Sequence, residues 1–175
     1  MIVREGNLHG VSEVGEYFDD SKECSLTFND RLIEITGPGA LKVLSYMTFH
    51  YSNKKSKQHG RKLHENNTSL DYQLKLKPGE YINGVTVYTV IKEISNVLKK
   101  DGVRPVIGLR FHMNNGRESP LFGSSFGSQI KEQFQNYRLS YIRGQVDDYI
   151  DTIQFIWYSE TDSTAVATLP ASISN

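Results

Sequence analysis

The densest group of chemically capable side chains in this chain is acidic. Asp147, Asp148 and Asp151 fall within five residues, and Asp19 and Asp20 add two more carboxylates earlier on. Such a set could bind calcium, which takes several oxygen ligands. The spacing has none of the loop regularity of an EF-hand, so it reads as solvated turn aspartates, with no metal and no cofactor expected. Paired carboxylates also serve glycoside hydrolysis. Nothing in the sequence sets one carboxyl's pKa apart or fixes a separation, so no catalytic residue is assigned and the chain is read as a non-enzyme. A second group is basic: Lys54, Lys55, Lys57, Arg61 and Lys62 in the run 54–62. It would suit an anionic partner such as a sulfated glycan, a lipid headgroup or phosphate. The plainer reading is a solvated loop that discourages edge pairing. Cys24 and five histidines could in principle supply a nucleophile and a base, but no catalytic signature surrounds Cys24, which reads as a packed thiol. The glycine-serine stretch 123–128 lacks a Walker lysine and reads as a turn. The acceptor triplets within 66–69 matter only in a secreted chain.

At 175 residues one domain with one core is the default. Lys+Arg and Asp+Glu both number 20, so formal net charge is zero. That balance argues against a generic nucleic-acid binder and against an acidic disordered chain. No apolar stretch approaches bilayer length, and the first residues lack a signal-peptide core. The expectation is a cytoplasmic chain or a domain excised from a larger protein, with localisation left open. A single cysteine excludes an internal disulfide and a Cys-rich zinc site.

The elements that would position these groups are strands. Ten Tyr, eight Phe and frequent β-branched residues suit a pleated surface. Ser25, Leu26, Thr27 and Phe28 run into Asn29-Asp30 and then Leu32, Ile33 and Ile35, which reads as a hairpin. Tyr72 to Lys77 alternates and stops at Pro78-Gly79, and Phe111-His112-Met113 runs into Asn114-Asn115-Gly116. Short strands with such punctuation predict an all-β sandwich or barrel-like body. Ile91, Ile94, Val97 and Leu98 are spaced for a short helix closed at Gly102, or for an ordered loop inserted in a β protein. One pattern, apolar-x-x-apolar-x-apolar, recurs at Leu44/Met47/Phe49, Ile82/Val85/Val87, Val106/Leu109/Phe111 and Ile150/Ile153/Phe155. It reads as an internal repeat of strands that begin with a bend and pack around a shared axis. His50 and His112 hold equivalent places in two copies, which marks a structural position.

The stretch Gly79-Glu80-Tyr81-Ile82-Asn83-Gly84-Val85 resembles the E-Y-I-x-x-V strand of jacalin-related lectins. Gly15-Glu16-Tyr17-Phe18-Asp19-Asp20, His59-Gly60, the strand Val106 to Asn114, Leu121-Phe122-Gly123 with Gly127, and Tyr141-Ile142-Arg143-Gly144 before Tyr149-Ile150-Asp151-Thr152-Ile153 resemble further landmarks in family order. The resemblance covers most of residues 10 to 158. It implies an all-β β-prism, three four-stranded Greek-key sheets with pseudo-threefold symmetry, that binds carbohydrate through loops at one end.

A sugar presents hydroxyls and one apolar ring face, so its site needs an accepting carboxylate, donating N–H groups and an aromatic edge. The family's G-x-x-x-D motif falls on residues 147–151. By resemblance, Asp151 turns its carboxylate out to the sugar, Asp148 and Tyr149 donate through their N–H groups, and Tyr149 offers its ring. The loop at Gly15 and Glu16 closes the other side. Asp147 stands where the motif has glycine, and a positive φ there would carry some cost. The N-terminal loop, Val11-Ser12-Glu13-Val14, is poor in glycine. The expectation is one jacalin-like domain over 1–160 with a polar tail or linker remnant at 161–175. Its partners would be glycans, with homo-oligomers or neighbouring domains supplying avidity. The alternative is a jacalin-like domain without sugar binding, contacting proteins or anionic surfaces through the run 54–62.

Overall fold

The computed structural model describes residues 2–12, 15–40, 43–62, 71–90 and 104–159. The helix expected over 91–102, the triplets at 66–69 and the tail 161–175 lie outside the described residues. Twelve strands and one short helix follow in order among those described. They are β1 (Ile2–Gly10), β2 (Glu16–Asp19), α1 (Asp20–Glu23), β3 (Leu32–Pro38), β4 (Tyr46–Tyr51), β5 (Ser56–Gly60) and β6 (Asp71–Lys75). Then come β7 (Ile82–Thr89), β8 (Val106–Met113), β9 (Phe122–Gly123), β10 (Ser128–Gln133), β11 (Arg138–Val146) and β12 (Ile150–Ser159).

Three antiparallel four-stranded sheets result, ordered β1-β12-β11-β2, β10-β7-β8-β9 and β5-β4-β3-β6. In each, a hairpin (β3–β4, β7–β8 or β11–β12) forms the middle, and two further strands flank it as a Greek key. The N-terminal β1 and β2 complete the sheet of the C-terminal hairpin. This is the β-prism, three sheets sharing one core in place of the two layers of a sandwich.

The repeated spacing explains the core. Phe49, Phe111 and Phe155 occupy the same place on β4, β8 and β12 and are all fully buried. Phe111 meets Phe49 edge-on at 6.5 Å and Phe155 edge-on at 6.3 Å, so one aromatic from each sheet converges on the axis. The expected bends are also present. Asp151 is an extra residue between the pairs Gln145–Thr152 and Val146–Ile150, and Ile107 likewise between Tyr88–Gly108 and Thr89–Val106. Ser45 holds the third equivalent place. Beside each bend sits a glycine at positive φ: Gly10, Gly60 and Gly123. A Cβ on them would lie 2.1, 2.1 and 2.3 Å from the carbonyl oxygens of Asp151, Ser45 and Ile107.

The hairpin expected from Ser25 to Ile35 does not form. Asp19 caps α1 by accepting from the Ser21 N–H at 3.0 Å, and Ser25 turns the chain at φ 50°. Thr27 N–H and Oγ1 then close a turn on Asp30 Oδ2 at 2.7 and 2.8 Å, so β3 pairs with β4 and β6 instead.

Candidate functional site

The β11–β12 hairpin closes through Val146 and Ile150, leaving Asp147, Asp148 and Tyr149 as its loop. Asp147 N–H donates to the Tyr149 carbonyl at 3.1 Å, and Ile150 N–H reaches the Leu44 carbonyl at 3.4 Å. Among the described residues no hydrogen bond uses the N–H of Asp148 or Tyr149, which lie between the two anchored amides. Asp147 and Asp148 are exposed and Tyr149 is half-buried. The non-glycine residues at positive φ among those described are Ser25, Lys54 and Asn136, so Asp147 carries no left-handed strain. Replacing the motif's glycine therefore adds a carboxylate at the loop without a backbone cost.

Asp151 departs from the expectation. Its carboxylate does not turn outward; the residue is 0% exposed. The cause is the bend, which sends this side chain toward Ser12 and Gly15. There the Ser12 hydroxyl donates to Asp151 Oδ2 at 3.3 Å. Gly15 lies directly over the carboxylate, at φ +114°. A Cβ at position 15 would sit 3.2 Å from Asp151 Oδ2 and 3.2 Å from the Val146 carbonyl oxygen. Only glycine lets the loop close this tightly. The structure thus brings Gly15, Asp151 and the 147–149 loop to one end of the prism, with Glu16 exposed beside Val146 at the start of β2. Ser12 was missed in the sequence: a hydroxyl in this loop is visible there, but its partner 139 residues away is not.

The basic run does not form one patch, because it traverses the whole of β5. Lys54, at φ 66°, and Lys55 turn the chain at the far end of the prism. Lys57 pairs with Glu23 at 2.7 Å, and Lys62 pairs with Asp71 while lying 5.6 Å over the Tyr46 ring. Lys57 and Arg61 instead border a groove of about 410 Å³ whose other wall carries Glu16, Tyr17 and Asp147. The two sets singled out in the sequence therefore meet across one groove of mixed charge.

Asp20, read as a turn aspartate, is wholly buried. Its Oδ1 lies 2.5 Å from His59 Nε2, and the Tyr51 hydroxyl donates to Oδ2. The Phe18 ring stacks on His59 at 3.8 Å and 19°. This cluster locks β2 and α1 onto β4 and β5 and so fixes one wall of the groove. Cys24 is buried beside it; burial first, then the Asp20 charge, pushes its thiol up to about 11. That is a packed and unreactive thiol. Among the described residues no group of three or more His, Cys, Asp or Glu is placed to hold a metal ion.

The sequence profile of the jacalin-like lectin domain matches residues 8–156. Among solved structures, a mannose-specific jacalin-related lectin from Morus nigra, in complex with mannose, superposes with a TM-score of 0.69 at 18% identity, covering 89% of this chain and 94% of its own. A mannose-binding jacalin-related lectin from Ananas comosus gives 0.65 at 18% identity, covering 90% and 99%. Malaysian banana lectin gives 0.67 at 14% identity, also covering 90% and 99%. At these identities the likeness speaks for the fold. No curated protein sequence matches the chain significantly.

Proposed function

The chain belongs to the jacalin-like lectin domain family, and from that premise we propose that it is a non-enzymatic carbohydrate-binding module with its site at the Gly15 and 147–149 end of the prism. One observation carries the reading. Of the three equivalent bend positions, Ser45, Ile107 and Asp151, only the last bears a carboxylate, and one group it accepts from is a hydroxyl. A sugar hydroxyl is chemically the same donor as Ser12. Exchanging one for the other at Asp151 is close to neutral, so net affinity rests on what the sugar gains elsewhere. Those gains are the N–H groups of Asp148 and Tyr149, the Tyr149 ring against the C–H face, and Glu16 at the groove. Neighbours of the same fold are mannose-binding lectins, so mannose is the first ligand to test. Such shallow sites bind single sugars weakly and gain strength through multivalency.

The test is a glycan array followed by mannose titration of the chain and three variants, each checked by thermal melting. Ser12→Ala removes one internal competitor and is expected to tighten binding by about three- to tenfold. Asp151→Asn is expected to abolish it. Tyr149→Ala, on the loop surface, is expected to weaken it about tenfold without touching the core. Folded variants that bind as the parent does, or a parent silent across the array, would overturn the proposal.

A further inference from the structure

Pseudo-threefold symmetry allows the outer faces of the three sheets to be compared row by row. One row crosses each sheet one residue before the central phenylalanine. It reads Gln73, Thr36, Thr48 on β6-β3-β4 and Asp19, Arg143, Gln154 on β2-β11-β12. On β10-β7-β8 it reads Lys131, Thr86, Arg110. The first row is neutral and the second carries its own counter-charge. The third sets two cations on either side of a hydroxyl.

The geometry of that third row is convergent. Strands lie about 4.8 Å apart, so Lys131 and Arg110 start about 10 Å from each other with the short Thr86 between them. Thr86 is 4% exposed. Arg110 Nε is buried with no hydrogen-bond partner, and its guanidinium reaches Glu118 only at 3.6 Å. An orphaned guanidinium donor is costly unless something accepts from it. Lys131 makes no ion pair among the described residues. His112, from β8, lies 2.7 Å from Thr86 Oγ1 through Nε2 and 3.1 Å from Glu118 Oε1 through Nδ1.

We propose that this row is a binding site for a tetrahedral oxyanion, a sulfate or phosphate monoester, held between Arg110 and Lys131 above the Thr86 hydroxyl. The anion supplies the acceptor that Arg110 Nε lacks and a counter-charge for Lys131, since Glu118 already lies beside Arg110. The groups facing His112 are Thr86 from β7, Arg110 from β8, Lys131 from β10 and Glu118 after β8. Burial, then the Lys131 charge, holds its imidazole below the usual histidine value. Neutral His112 therefore donates from Nδ1 to Glu118 and accepts the Thr86 proton at Nε2. An arriving anion favours imidazolium; one proton is taken from solvent at Nε2, which then donates to Thr86 Oγ1 and frees the hydroxyl proton for the anion. The order hydroxyl, imidazole, carboxylate also occurs in acyl transfer. Here the hydroxyl is buried at mid-strand and the backbone N–H groups around it are committed to the sheet, so no oxyanion hole exists and the site is one of recognition.

The experiment is NMR titration at constant ionic strength with sodium sulfate, sodium phosphate, glucose 6-sulfate, glucose 6-phosphate and glucose. The oxyanions are expected to shift Thr86, Arg110 and Lys131 signals and raise the His112 titration midpoint, while glucose does neither. Lys131→Gln, an exposed change, is expected to weaken binding about tenfold and, in the free protein, to raise the His112 midpoint by removing a repelling cation. Esters binding more tightly than free ions place the anion on a sugar; equal binding identifies the free ion as the ligand. Shifts confined to Lys54, Lys55 and Arg61, or unchanged binding in Lys131→Gln, would overturn the site. Asp151→Asn leaves this binding intact, so its success or failure is independent of the carbohydrate proposal.

Discussion

Replacing Glu132 by glutamine should cost the fold about 2–3 kcal/mol at pH 7, the worth of a buried hydrogen bond to a charged group. Glu132 projects from β10 into a buried junction between two sheets, where it is 4% exposed. Trp157 Nε1 donates to its Oε1 at 2.5 Å; Asn7 N–H donates to Oε2 at 2.8 Å, and His9 Nε2 lies 3.2 Å from the same oxygen. The carboxylate thus staples β10 to β1 and β12. Glutamine keeps the shape but must turn an NH₂ toward one of these donors, leaving that N–H facing another donor. Burial by itself would raise the Glu132 pKa, but the contacts from His9, Asn7 and Trp157 outweigh it and hold the group below its ordinary value. A depressed carboxylate contributes stability that is present above the unfolded pKa and is lost as pH falls through the folded one. The gap between parent and Glu132→Gln should therefore narrow below about pH 4. Urea unfolding at pH 7 and pH 3.5, followed by circular dichroism and by the fluorescence of the single tryptophan, measures both. A difference under about 0.5 kcal/mol at pH 7, or a gap that widens in acid, would refute the argument.

Gly60→Ala should destabilise by more than about 2 kcal/mol, because its Cβ would fall 2.1 Å from the Ser45 carbonyl oxygen. Gly79→Ala, at φ +78° but with nothing within 4 Å, should cost only about 1 kcal/mol; equal losses in denaturant midpoints would contradict this. Asp147→Gly should leave stability within about 0.5 kcal/mol, since no left-handed strain is relieved, while changing glycan-array intensities by opening the loop. Cys24 should resist iodoacetamide at pH 8 in the native protein and react once it is unfolded; rapid native labelling detected by mass spectrometry would show that the thiol is accessible.

The fold was readable because its signals are local. The spacing of Leu44/Met47/Phe49, Val106/Leu109/Phe111 and Ile150/Ile153/Phe155 is set by strand alternation interrupted by one extra residue. Each copy carries that information within six positions. The hairpin misassigned at Ser25 shows the limit: Thr27 and Phe28 alternate like a strand, yet the Asp19 cap and the Thr27–Asp30 turn keep that segment out of every sheet. Gly15, Glu16, Asp147, Asp148 and Tyr149 were singled out through the order of landmarks, and the structure brings them to one end of the prism. Ser12 was not, since its role depends on a partner 139 residues away.

What the sequence determined by itself was the repeated strand pattern and the aromatic axis it builds, because periodicity and turn chemistry act over a few residues. Tertiary structure alone decided that Asp151 lies beneath Gly15 and Ser12, that Asp20 is shared by His59 and Tyr51, and that Arg110 and Lys131 flank Thr86. Each of these depends on which strands become neighbours and in what register. A slip of one residue turns every side chain of a strand to the opposite face, so such contacts exist only once the three sheets have closed on one another.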